Sequence, residues 1–307
     1  MTFRPELASR PMAEAQQARV LRDGLHFGEG PRRGPDGRLY YSDFYAGEVH
    51  ALDLTTGEDE LVVAFDGQPS GLGWLPDGRL LVVSMLDHTV RRLEGTDLIL
   101  HADISDIATY HANDMLVDGE GRAYVGNFGF DLHGLITEVG IPRLLEPDFD
   151  PPGAALALVQ PDGAVSVVAE DLKFPNGMAL LPDPTGESES GNILVIAETI
   201  AFKLTSFSVD RNGSLQNRRL WADVKEFGIA PDGIAGDGDG VWVAPALQPA
   251  VFRVTEGGKI THRVETTQTC FAVAVVDDKL VCLTAPDSHP DVVKEARLGK
   301  VEVYDLN

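Results

Sequence analysis

Short apolar runs, mostly β-branched or aromatic, punctuate the whole chain, and each follows a polar turn rich in Asp and Gly. The runs read PDGRLYYSD from Pro35, PDGRLLVVS from Pro76, DGEGRAYVGN from Asp118, GNILVIAET from Gly191, DGDGVWVAP from Asp237 and VDDKLVCLTAP from Val276. Each predicts a hairpin turn feeding a strand. Seven residues before the acid of each turn stand Glu29, Ser70, Asn113, Asn176, Asp232 and Cys270, in an ungapped register. A shared register of this kind marks six copies of one structural unit. Each unit has room for four strands: in the first, LYYSD is followed by VHALDL and DELVVAF across two turns. No helical pattern separates the strands. The fold class predicted is all-β, a six-bladed β-propeller with four-stranded antiparallel blades. The last unit, ending GKVEVYDLN, lacks its outermost strand. The N-terminal ARVLRDGL is expected to supply it and close the ring, removing an exposed edge. The domain reading is an N-terminal extension over 1–17 and a single propeller over 18–307.

In such a ring the first strand of every blade faces the central channel. The six registered residues then form one level, and four of them carry oxygen donors. Gly30, Gly71, Gly177 and Gly233 follow four ring members and let backbones crowd the axis. Two residues further along stand Pro31, Leu72, Met115, Met178, Ile234 and Ala272, an apolar plug. Asp114 is expected to face away from the channel. Carboxylates held close together repel and raise each other's pKa unless a cation lies between them. Glu29, Asn113, Asn176 and Asp232 are therefore the candidate ligands of one divalent metal ion. Oxygen-only ligands suit Ca²⁺ best, with Zn²⁺ or Mn²⁺ as alternatives.

With 25 basic against 48 acidic residues the net charge is -23, which disfavours nucleic acid and anionic membranes as partners. The first twenty residues lack an apolar signal region and no transmembrane-length apolar run occurs, so a cytoplasmic location is expected. Two cysteines, Cys270 and Cys282, exclude a disulfide framework.

The motifs EGP at Glu29, ND at Asn113, FPNG at Phe174 and PDGIA at Pro231, in this order and spacing, resemble the gluconolactonase, senescence-marker and luciferin-regenerating-enzyme family. The likeness runs from about residue 18 over nearly the whole chain. It implies one divalent metal held at Glu29, Asn176 and Asp232, with Asn113 as ligand or substrate contact. The quartet is also similar to the calcium site of diisopropyl fluorophosphatase and the paraoxonases. The activity implied is metal-dependent hydrolysis of a lactone or related ester, with the ion polarising the carbonyl and holding the attacking water. Phosphotriester or fluorophosphate hydrolysis on the same site is one alternative, and a non-catalytic binding propeller with a structural ion is another.

Where sugar-lactone members carry Arg two residues before the channel Asn, this chain has His111, and Phe130 replaces an acidic residue in NFGFDL. Loss of a guanidinium fork weakens recognition of a polyhydroxylated ring. Asp232 is the leading candidate base, with His111 as a second base or donor and Asn113 beside them. By register, Phe27, Gln68, Phe174, Ala230 and Gln268 join His111 in an upper ring. Loops expected on the same face carry Phe44, Met85, Phe128, Phe130 and Phe202, candidate contacts for a partly apolar small molecule. Ser70 and Cys270 complete the candidate substrate-contact set, although a filler hydroxyl and a small buried hydrophobe are their plainer readings. The longest insertion, about 131–152, is expected to form a lid.

Overall fold

In the computed structural model of the chain, residues 16–144, 146 and 149–306 are described. They form six antiparallel sheets of four strands, one with an added edge strand, arranged as a six-bladed propeller. The inner strands are Gly28–Arg33, Pro69–Trp74, Ala112–Val117, Pro175–Pro182, Ile234–Asp237 and Thr269–Val276. Successive inner strands are neighbours in space, which closes the ring around one channel. No helix among the described residues is long and apolar enough to cross a membrane.

The hairpin turns show why the PDGR pattern recurs. Asp36 accepts from the Arg38 backbone N–H (3.1 Å) and Asp77 from that of Arg79 (3.1 Å), while Gly37 and Gly78 both take φ of 87°. The same aspartates receive the Nε of Arg38 at 2.7 Å and of Arg79 at 2.9 Å. Each copy of the motif is thus a turn fixed by its own acid and braced by its own base.

Closure follows the expectation. Arg19–Leu25 pairs antiparallel with Gly299–Asp305 as the outer strand of blade 6, with Arg19 opposite Val303 and Leu25 opposite Gly299. Beyond it, Gln16–Gln17 pairs parallel with the outer strand of blade 5, and Ala18 is buried there. Residues 1–15 of the expected extension lie outside the described residues.

Side chains from adjacent blades interleave between the sheets. Leu39, Tyr41 and Leu52 of blade 1 pack on Ala272, Val281 and Val301 of blade 6, with Leu25 of the closing strand. Two details correct the sequence reading. Helices α1 (Leu132–Val139) and α2 (Ile141–Leu144) occupy the blade 3 insertion, and α3 (Pro290–Val293) lies in blade 6. Their apolar spacing is too brief to stand out among strand signals. Strict alternation also fails: in blades 1 to 4 the inner strand takes three steps against two on its partner between Glu29 and Arg32, Pro69 and Leu72, Ala112 and Met115, and Pro175 and Met178. Each is a β-bulge at or beside the ring residue, and a bulge re-aims the side chains around it.

Candidate metal centre and cavity

Close contact of the inner strands creates the centre. A Cβ on Gly71 would stand 2.2 Å from the Met115 nitrogen, and one on Gly177 2.3 Å from that of Ile234. Only glycine fits where strands approach so closely. Asp232 precedes its strand and is fixed by its own N–H to Ala244 O (2.9 Å) and by Gly233 N–H to Phe271 O (2.8 Å).

The structure brings Glu29, Asn113, Asn176 and Asp232 together on the floor of a cavity of about 600 Å³. All four are buried. A chain of amides orders them: Ser70 Oγ donates to Asn113 Oδ1 (3.2 Å), Asn113 Nδ2 to Asn176 Oδ1 (3.1 Å), and Asn176 Nδ2 to Thr199 Oγ1 (3.2 Å). Thr199 donates in turn to Pro231 O (2.8 Å). Burial, then the charges of Asp232 and Asp114, push the Glu29 carboxyl well above its ordinary range, against the Gly30 N–H and Arg32. Burial and Asp114 raise Asp232 likewise, opposed by its bond with Asn176.

Asp114 was expected to face outward and does not. It is buried, and it receives Arg32 Nη2 at 3.0 Å from blade 1, across blade 2. The bulge at 113–114 breaks the alternation and turns the carboxylate toward the axis. The same guanidinium donates to Met115 O (2.6 Å) and Pro31 O (2.9 Å), so Arg32 spans the channel beneath the ring. In the sequence, Arg32 is one of an RR pair beside the PDG turn, with nothing local to mark it as a channel residue. Thr199, which orients Asn176, was not distinguishable from a strand-end threonine.

The donor set fits a hard cation. Two buried carboxylates share the floor with two amide groups, and the nearby guanidinium is engaged by Asp114. Among the described residues no three of His, Cys, Asp and Glu group as a metal cluster, because this ring offers two carboxylates and two amides. Four protein oxygens leave room in the about 6–8 that Ca²⁺ takes.

Above the floor, Phe27, Gln68, His111, Phe174 and Ala230 line the cavity as the register foretold, while Thr269 replaces Gln268, whose amide donates to Leu298 O (2.7 Å). Gln68 and Phe174 hold left-handed backbones, φ 57° and 59°, which are strained for such side chains. Phe44, Phe128 and Phe202 also line it. Met85 does not: it is fully buried in the cluster behind the wall, and Leu86 takes its place. Phe130 packs under α1 instead. Ser70 and Cys270 are fully buried off the cavity, Ser70 as a support for Asn113 and Cys270 in the core with Cys282. Burial and His88 lower the His111 pKa from its ordinary value, with Asp131 opposing. From the 131–152 insertion, Asp131, Leu132, His133 and Ile136 form part of the wall.

Residues 27–284 match the SMP-30/Gluconolactonase/LRE-like region, and the chain belongs to that family. It is similar to pentonolactonase XacC of Haloferax volcanii, 28% identical over 74% of this chain and 69% of that protein. It is also similar to the diisopropyl-fluorophosphatase of Loligo vulgaris, 24% identical over 58% of this chain and 56% of that one. The solved calcium-binding regucalcin of Agrobacterium tumefaciens superposes with a TM-score of 0.73 at 21% identity, over 96% of this chain and 97% of its own.

Proposed function

We propose that the protein is a metal-dependent hydrolase of a partly apolar lactone or related carboxylic ester. The observation that carries this reading is the pair of buried carboxylates, Glu29 and Asp232, set with Asn113 and Asn176 on the floor of an aromatic-walled cavity. These four residues would hold the cation, Ca²⁺ by donor type, which when bound polarises the ester carbonyl. Asp232 accepts the proton of the attacking water as its oxygen bonds to the carbonyl carbon, and returns it to the departing alkoxide as the ester C–O bond breaks. His111 offers a hydrogen bond from the wall. Asn113 is held on the floor by Ser70 and by its bond to Asn176. The phenylalanine walls exclude bulk water and favour an apolar substrate over a free sugar lactone, and the net charge of -23 disfavours nucleic acid and anionic membranes as partners.

Likeness to a fluorophosphatase supports a second reading, hydrolysis of a phosphotriester on the same floor. A panel of apolar lactones, aldonolactones, aryl esters and a fluorophosphate, run on chelated protein with and without Ca²⁺, Zn²⁺ or Mn²⁺, separates the two. Lactone or ester turnover lost on chelation and restored by the ion, with circular dichroism unchanged, is the expected result. Turnover of the fluorophosphate alone establishes the second reading. Chelation that only unfolds the protein, with no substrate turned over, leaves a binding scaffold with a structural ion.

A further inference from the structure

Helix α1 leaves blade 3, and in a ring of six blades the opposite one is blade 6. His133, in the first turn of α1, nevertheless brings its ring to 5.2 Å from that of His289, edge to face. His289 caps α3 on blade 6, where its Nδ1 accepts the Asp291 N–H. The start of α1 and the blade 6 segment therefore meet over the cavity. On its own side α1 is anchored by apolar packing of Leu132, Leu135, Ile136 and Val139 on Phe174 and Ile200. Its start is fixed by Asp131, which accepts from the Gly134 N–H at 2.9 Å. The far side is braced from blade 1, where the Tyr45 hydroxyl donates to Ser288 O (3.3 Å). Leu132, His133 and Ile136 meanwhile form part of the cavity wall above the floor of Glu29, Asn113, Asn176 and Asp232.

We propose that α1, latched by His133 against His289, is the size-selecting wall of this cavity, admitting an apolar ring with a short side chain and rejecting an extended one. The proposal rests on the hydrolase reading above and adds its substrate limit. On this proposal, a chain that outgrows the cavity leaves between α1 and the blade 6 loop. It then parts the two imidazoles and lifts Ile136 from its packing, losses that only an extended substrate incurs.

The test uses γ-butyrolactones bearing alkyl side chains of increasing length, with kcat/KM measured for the parent, His133→Ala and His289→Ala. His289→Ala leaves every residue of α1 in place, and His289→Phe, which keeps a ring against His133, serves as the folded control. In the parent, kcat/KM should collapse beyond a short chain. Both alanine variants should raise the long-to-short ratio by about tenfold or more, while His289→Phe keeps the parent ratio. A ratio that stays put in either alanine variant overturns the latch. Alkylcyclopentanones of the same lengths, which cannot be hydrolysed, are titrated in parallel by calorimetry. If the parent hydrolyses no lactone yet binds short ketones, and the alanine variants admit long ones, the hydrolase reading fails and the size limit stands. Ketone affinities that do not respond to the latch variants overturn the size limit.

Discussion

Glu29 and Asp232 are buried carboxylates, and each is pushed up by burial and by neighbouring negative charge. A cation between them relieves both penalties at once, so removing either carboxylate should remove tight binding. Glu29→Ala and Asp232→Ala are each expected to weaken Ca²⁺ affinity by more than about a hundredfold, an effect comparable to losing a well-placed buried ion-pair partner. Asn176→Ala, which removes an uncharged donor, should weaken it less, and calorimetry on chelated protein measures all three. Unchanged affinity in both carboxylate variants would reject the assignment. A substitution at His111 tests selectivity: His111→Arg places a planar pair of donors on the wall for ring hydroxyls. It should lower kcat/KM for apolar lactones and raise it for aldonolactones without loss of the ion, and a ratio that does not move makes His111 a bystander. The four ring residues were legible because they share one register. Asp114 and Arg32 were not, because what joins them is a contact across the channel between positions far apart in the chain.

At the scale of elements, the hairpins were legible because their chemistry is local: Asp caps the turn, Gly adopts its φ, and Arg reaches back to the acid. The bulges were hidden, since an extra residue is counted only against a partner strand. One local network lies in blade 1, where His50 contacts Glu48 (3.1 Å) and Asp59 (3.1 Å) and stacks on Tyr41. Burial opposes the imidazolium, but the Asp59 and Glu48 carboxylates outweigh it and raise the His50 pKa. Its contribution to stability is therefore complete below the unfolded value of about 6.5 and is lost as pH rises through the higher folded value. Asp59, opposed by burial but bound by His50, is held below its ordinary value, so its contribution is lost only as pH falls through that lower value. Thermal melting of parent and His50→Gln should thus differ most near pH 5–6 and converge toward pH 9. A difference independent of pH would show that packing on Tyr41, not charge, is what His50 supplies.

For the whole molecule, closure is carried by the segment Arg19–Leu25, whose Leu25 and Leu21 enter the core between blades 6 and 1. Deleting residues 1–25 should lower the melting temperature by about 10 °C or more, whereas deleting 1–15 should leave it nearly unchanged. Equal melting temperatures for the two truncations would rule out this segment as the closing strand. The amino-acid sequence by itself determined the number of blades, the closing strand and the oxygen-donor level, because a repeated unit writes its turn chemistry and strand period into every copy. Only the tertiary structure decided which side chains meet inside the channel and over its mouth. Asp114 turns inward through a bulge, Met85 sinks behind the wall, and a helix from blade 3 reaches a histidine on blade 6. Those outcomes depend on how strands from different blades approach one another in space, and a one-dimensional period carries no term for distance across a ring.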